Sequence, residues 1–253
     1  MEVAILTVGE ELLAGDTTNT NATWLAEQVT DRGVEVRRIL TIPDERDLIA
    51  DSVRAYHEAF DAVIVTGGIG GTPDDVTMAA VADAFDREMA VSEVSLREVE
   101  DRLADIGDSV PELDIDPEAE ASIPAGATPL SNPAGLAPGC RIESVSVLPG
   151  IPGEMRAMFE EIADDFSGEV ASRLLYTVEP EANVTDALAA ARDRFDVRVG
   201  CYPDRDRRHN RIKLSGVDAD ALDAASEWLL DTIDASESPV ARDWDPGDDP
   251  GRS

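Results

Sequence analysis

Apolar runs and apolar stripes alternate along the first two thirds of the chain. Val3 to Val8 is a short apolar run, fit for a buried strand. After a polar loop, Ala22, Leu25, Ala26 and Val29 recur at helical spacing, with Thr20 or Asn21 as the cap and Gly33 as the stop. Val34 to Ile42 predicts the next strand, which Pro43 breaks. Leu48, Ile49, Val53 and Tyr56 then mark one side of a helix, and Ala62 to Thr66 a third strand. A long helical stretch follows Asp75, opening with Met78 to Phe85 and breaking near Ala90. Ser144 to Leu148 returns as a strand. Pro149 to Gly153 turns it into a helix carrying Met155, Met158, Phe159 and Ile162. Strands and helices joined by short links predict an α/β fold, with a mostly parallel sheet and helices on both faces.

Two segments depart from this rhythm. Gly107 to Ala127 holds Pro111, Pro117 and Pro124 among many acids and reads as a loop-rich insert. A second break falls at Ser167-Gly168. Beyond it, Arg173 to Val178, Val197 to Tyr202 and Arg211 to Gly216 predict strands. Val184 to Phe195 and Ala221 to Ile233 predict helices. The expected organisation is therefore a domain over 1–168, a small α+β domain over 169–238 and an acidic, frayed tail over 239–253.

Charge narrows the classes. The chain has 253 residues, with 54 acids against 21 lysines and arginines, a net charge of -33, and Lys213 is its single lysine. The acids are spread through every helix instead of forming one block. That pattern fits a surface adapted to high salt better than docking to a strongly basic partner. It also speaks against nucleic acid, whose binding needs a basic face. The basic run Arg205 to Arg211 reads as a solvated hairpin loop, with a grip on phosphate or an acidic partner as the alternative. No apolar run is long enough to span a bilayer, and the N-terminus opens directly on a strand without a leader pattern. A soluble cytoplasmic protein is expected. Cys140 and Cys201, like His57 and His209, stand isolated, so neither a zinc site nor a Ser-His-Asp mechanism is expected.

The polar loops fall at the carboxyl ends of the predicted parallel strands, where such folds bind ligands. The first runs from Gly9 and Glu10 to Asn19 and Asn21, and the second is Pro43-Asp44-Glu45. The third, Gly67-Gly68-Ile69-Gly70-Gly71-Thr72-Pro73-Asp74-Asp75-Val76-Thr77, follows a strand and opens a helix. Glycines admit close backbone approach, and the first amides of a helix point at anions. Backbone N–H groups near Gly68, Gly70, Gly71 and Thr72 are the expected phosphate cradle. Asp75 beside bare phosphate would be repelled, a conflict that a magnesium-type ion removes. Asp74 and Asp75 are the candidate metal ligands, and Asp44 is a second ligand or the group that positions the attacking water. The fourth loop carries Asn132 and Gly135. The fifth carries Pro149, Gly150, Pro152, Gly153 and Glu154.

These segments, in order, resemble the MoaB/Mog molybdopterin-binding domain, and most closely the N-terminal part of the CinA proteins. GEELLAGDTTNTNATWLAEQV resembles that family's first loop and helix, and TGGIGGTPDDVT its TGGLGPTxDDxT motif. ASIPAGATPLSNPAGLAPG and LPGIPGEM resemble two further segments, so the likeness runs from Ile5 to about Phe166. GCYP at Gly200 to Pro203, followed by RIKLSG, is similar to the small domain that follows in that family. The resemblance implies a three-layer α/β/α domain, a nucleotide or pterin ligand and a homodimer or homotrimer. It matches Asp44 and Asp75 to two aspartates that Mog-type relatives need to adenylylate molybdopterin with ATP and a divalent metal. CinA-type relatives are linked instead to metal-dependent hydrolysis of ADP-ribose-type pyrophosphates, and the related domain of FAD synthases to FAD cleavage. The expected activity is therefore a magnesium-, manganese- or cobalt-dependent pyrophosphatase, without zinc, haem or a flavin prosthetic group. A molybdopterin adenylyltransferase and a non-catalytic nucleotide-binding module are the alternatives. Gly71 replaces the family's usual proline. The further deamidase domain of longer CinA proteins is not expected.

Overall fold

The structure is a computed structural model, and it describes residues 1–107 and 115–240. The centre of the predicted insert and most of the expected acidic tail lie outside the described residues. The chain divides into two units, Met1–Gly168 and Glu169–Ser253.

In chain order the first unit comprises β1 (Glu2–Val8), α1 (Glu10–Ala14), α2 (Thr20–Asp31), β2 (Glu35–Ile42), α3 (Arg46–Ala59), β3 (Ala62–Thr66) and α4 (Thr77–Ala84). It continues with β4 (Met89–Val91), α5 (Glu93–Gly107), α6 (Pro117–Glu120), β5 (Ser122–Pro124), β6 (Thr128–Leu130), β7 (Gly139–Ile142), β8 (Val145–Leu148) and α7 (Pro152–Ile162). The main sheet has the order β2-β1-β3-β8-β7-β6. β2, β1, β3 and β8 run parallel; β7 is antiparallel to β8, and β6 to β7.

Alternation along the buried strands sorts the core into two layers. Ala4, Leu6, Val8, Val63, Val65, Val145 and Val147 meet Ile49 and Val53 of α3 and Met78 and Val81 of α4. The intervening residues Val3, Ile5, Ala62 and Ile64, with Leu148, meet Leu25 and Val29 of α2 and Met155, Met158, Phe159 and Ile162 of α7. Trp24 meets Phe159 edge-on at 5.4 Å, and Phe166 stacks on it at 5.7 Å. The sheet is thus covered on both faces, in three layers.

Three expectations need correction. Neither Thr20 nor Asn21 caps α2: Asn19 does, its side chain accepting from the Ala22 N–H at 3.0 Å. The helical stretch after Asp75 stops at Ala84, and Met89–Val91 is a strand paired with β5. The turn at Asp86, with φ of 52°, reverses the chain between them. The predicted insert is not all loop. It supplies α6, capped by Asp116, and β5. The hairpin of β6 and β7 was not anticipated, because strands of three and four residues interrupted by Pro and Gly leave no period to read.

The second unit contains β9 (Ala171–Thr177), α8 (Glu181–Phe195), β10 (Arg198–Asp204), β11 (His209–Gly216), α9 (Ala219–Thr232) and β12 (Ala235–Ser236). Its antiparallel sheet has the order β10-β11-β9-β12. Leu175, Ile212 and Leu214 face Ala191 of α8 and Leu222, Ala225 and Leu229 of α9. Among the described residues, no helix is long and apolar enough to cross a membrane.

Candidate functional site

The sheet brings the ends of β1, β2, β3 and β8 to one edge. β6 runs in the same direction as β8, because two antiparallel steps separate them. The loop from Ser131 to Pro138 therefore reaches the same edge. Just inside it, Thr41, Thr7 and Thr66 form a row across three strands. Thr7 Oγ1 lies 2.8 Å from Thr41 Oγ1, and Asn19 Nδ2 donates to Thr7 Oγ1 at 2.9 Å. Thr66 Oγ1 donates to the Pro149 carbonyl at 2.7 Å. Asn21 Nδ2 donates to the Gly150 carbonyl at the same distance. These bonds fix the first and fifth loops to the strand ends.

A cavity of about 560 Å³ opens at this edge. The glycine run forms one wall with Gly67, Gly68 and Gly70, beside Asp74 and Asp75. Gly9 and Asp44 enter from the first and second loops. Pro149, Gly150, Pro152 and Glu154 enter from the fifth, and Leu136 and Ala137 from the fourth. Two glycines are required by shape. Gly67 has φ of 106°, and a Cβ there would strike the Val8 carbonyl. Gly68 has φ of 65°, and a Cβ there would lie 2.5 Å from Thr77 Oγ1 and 3.0 Å from Asp44 Oδ1. The Thr77 hydroxyl is buried and has no partner among the described residues, although its backbone N–H donates to the Gly68 carbonyl at 2.9 Å.

The acids are held individually. The Glu10 N–H donates to Asp44 Oδ2 at 3.1 Å, which leaves Oδ1 toward the cradle. Burial pushes the Asp44 carboxyl above its ordinary range. The Glu10 amide opposes that shift, and the negative charges of Glu11, Asp74 and Asp75 add to it. Asp75 Oδ2 accepts from both the N–H of Thr72, at 3.0 Å, and its hydroxyl, at 2.5 Å. Thr72 thus spends its amide on Asp75, and Gly71 and Thr72 line an adjoining recess instead of this cavity. Among the described residues the donor set is hard oxygen, with neither His nor Cys lining the cavity. That chemistry fits a magnesium- or manganese-type ion. Among the described residues, however, no three such groups stand together as a ready metal site.

Several residues singled out in the sequence serve this site from behind. Asn19 is committed to the α2 cap and to Thr7 and Thr41. Asn21 lines a small adjoining recess, with its Oδ1 buried and unpartnered among the described residues. Glu10 contributes its amide. Asn132 does not line the main cavity: its Nδ2 donates to the Ala137 carbonyl and to Glu154 Oε2, and its Oδ1 accepts from Gly135 N–H at 2.9 Å. Asn132 and Gly135 line a separate hollow beside α5, where Arg102 donates to the Asn132 and Pro133 carbonyls. Gly153 is open-sided at the start of α7.

One cavity residue escaped the sequence reading. Glu120, at the end of α6, is half-buried against the glycine run. A Cβ on Gly71 would come within 2.7 Å of Glu120 Oε2. Gly71 itself shows no left-handed backbone, so its lack of a side chain serves to admit Glu120. Nothing local in the sequence signals this meeting, which depends on the path of the insert.

Residues 4–168 match the family described as "Probable molybdopterin binding domain", and residues 169–239 match "FAD synthase, middle domain". A protein of Archaeoglobus fulgidus is 37% identical over 227 residues, covering 89% of this chain and 95% of the relative. A Pyrococcus abyssi protein is 33% identical over 241 residues, covering 90% and 96%. The crystal structure of "the protein CinA with unknown function" from Thermoplasma acidophilum is 32% identical. It covers 66% of this chain and 99% of that one, with a TM-score of 0.59. The glycine run, the loops at one sheet edge and these matches agree: the chain belongs to the MoaB/Mog molybdopterin-binding domain family, is CinA-like in its first unit and carries a FAD-synthase-middle-type second unit.

Proposed function

We propose that the protein is a divalent-metal-dependent pyrophosphatase of ADP-ribose-type, or FAD-type, phosphoanhydrides. One observation carries this reading: the glycine run and separately held carboxylates share one cavity at the sheet edge. The amides of Gly68 and Gly70 would bind the anhydride oxygens, and the Gly67 and Gly68 turns bring the backbone close enough to do so. Asp74 and Asp75 are the residues to hold a metal, which supplies charge neutralisation at the phosphates when bound. Asp44 orients the attacking water and accepts its proton at Oδ1, since Oδ2 is held by the Glu10 amide. Its raised pKa suits a base better than an ordinary carboxylate's does. The FAD-synthase-type second unit agrees with a nucleotide substrate.

A second reading, adenylylation of molybdopterin, is favoured by the family to which residues 4–168 belong. One assay separates them. The protein is incubated in molar salt with magnesium, manganese or cobalt against ADP-ribose, FAD, NAD and dinucleoside polyphosphates, and separately with molybdopterin and ATP. AMP release from a dinucleotide, lost in Asp75→Asn, is the expected result. Adenylylated pterin would establish the second reading. Tight nucleotide binding with no turnover would make the protein a binding module. AMP release that survives in both Asp44→Asn and Asp75→Asn would refute the site assignment.

A further inference from the structure

The sheet of the second unit has one covered face and one open face. Leu175, Ile212 and Leu214, with Val199 and Cys201, pack with the helices α8 and α9. Alternation therefore sets Tyr176, Arg211, Lys213 and Tyr202 on the opposite face. There Arg211 pairs in register with Tyr202 on one side and with Tyr176 on the other. Lys213, the single lysine of the chain, pairs with Gly200 one row along. A Cβ at Gly200 would meet Tyr202 Oη at 2.5 Å and ring atom Cε2 at 2.9 Å, so the Tyr202 ring lies down over the glycine. Tyr202 is 52% exposed, which leaves a ring face to solvent. Tyr176 is half-buried and meets His209 edge-on at 5.1 Å. The turn between β10 and β11 adds Arg205, Arg207 and Arg208, all exposed. Among the described residues, no ion pair takes up these three, Arg211 or Lys213. Two acids stand by them, Asp204 and Asp206, and Asp204 is engaged by the Arg207 N–H at 3.0 Å. Five cations and two rings thus gather on one surface of a chain whose acids outnumber its bases 54 to 21.

We propose that this open face binds single-stranded nucleic acid, with bases stacking on Tyr202 and Tyr176 and phosphates meeting Arg211, Lys213 and the arginines of the turn. The face lies in the second unit and does not depend on the pyrophosphatase reading of the first. Cations alone would fit an acidic peptide equally well, and the rings decide between the two. A carboxylate has no use for a ring face laid flat between cations, whereas every base has a π-face to set on it. Pairing hides the faces of the bases, so the strand must be single. The expectation against nucleic acid follows from the charge of the whole chain, and that charge limits the strength of binding. At long range a chain of -33 repels a polyanion, and salt screens this repulsion more than it screens contacts made at the face.

The test is fluorescence anisotropy on the full chain without metal, at the lowest salt that preserves its circular-dichroism spectrum. The labelled probes are an oligouridylate of about 12 nucleotides, an abasic strand, an RNA duplex and an oligoglutamate peptide, all of the same length. The oligouridylate is expected to bind at least about tenfold more tightly than each of the others. Tyr202→Ala should weaken it about tenfold, and Tyr202→Phe, which keeps the ring, should restore the wild-type affinity. Arg211→Gln should weaken it too and lower the slope of log affinity against log salt by about 0.7, the loss of one phosphate contact. Oligoglutamate or abasic strand binding as tightly as oligouridylate would make the face a general anion surface and overturn the proposal. Oligouridylate binding unchanged in both Tyr202→Ala and Arg211→Gln would place the strand elsewhere and overturn it as well. So would the absence of binding to any single strand.

Discussion

At the scale of single residues, Asp44 is held where ionisation is unfavourable, and this sets a trade-off. Its folded pKa is raised, so the protonated form is favoured by folding. That contribution is complete below the ordinary value of 3.8 and is lost as pH rises through the folded value. At neutral pH the ionised Asp44 therefore opposes folding. Asp44→Asn is expected to raise the melting temperature at pH 7 and to have no such effect at pH 3, while abolishing turnover. Parallel melts at the two pH values, with an AMP-release assay, check this. The gain should be small, because much of Asp44 remains accessible to solvent screening. The cysteines offer a second residue-scale test. Burial pushes the Cys140 thiol up to about 12, whereas Cys201 is only half-buried. In the native state a thiol reagent at pH 8 should label Cys201 and spare Cys140, and mass spectrometry of the labelled peptides reads the difference. The sign for stability follows. The unfolded thiol titrates near 9.0 and the folded one higher, so Cys140 supports folding below about pH 9 and withdraws that support between 9 and 12.

At the scale of elements, the helix starts and the threonine row determine how the loops are aimed. Asn19 serves both, since one side chain caps α2 and holds Thr7 and Thr41. Asn19→Ala is expected to cost about 1–2 kcal/mol, from the lost cap and the stranded hydroxyls. Asn19→Asp, which keeps the cap but not the donor, should cost less. Chemical denaturation of the two variants orders them. The same scale shows why the sequence was readable in parts. α2, α3 and α7 carry apolar stripes over three turns or more, and β3 is a fully buried run, so periodicity alone located them. β4, β5, β6 and β7 have three or four residues each. Their pairing is decided by partners far along the chain, which no local window contains. The site divides in the same way. That the glycine run, Asp44, Asp74 and Asp75 meet in one cavity was legible because their loops follow parallel strands that end at one sheet edge. Glu120 was not, because only the folded path of the insert brings it to Gly71.

At the scale of the whole molecule, the governing quantity is the charge of -33 on 253 residues. Ion pairs such as Arg46 with Asp83 and Arg173 with Asp223 lie on the exposed surface, where solvent and salt screen them. Among the described residues, no cation lines the cavity with its acids. Self-repulsion of this kind weakens the folded state in dilute buffer, and it fades once the screening length falls to about 3 Å near 1 M salt. The two hydrophobic layers of the first unit do not depend on charge, so salt should restore a fold already encoded in them. The prediction is a melting temperature that rises steeply between 0.1 and 1 M salt and flattens beyond. Potassium chloride should achieve most of what sulfate does, because screening and not surface exclusion is the cause. A melt unchanged over that range would show that the acids are accommodated without screening. A rise seen with sulfate alone would assign the effect to hydrophobic burial instead.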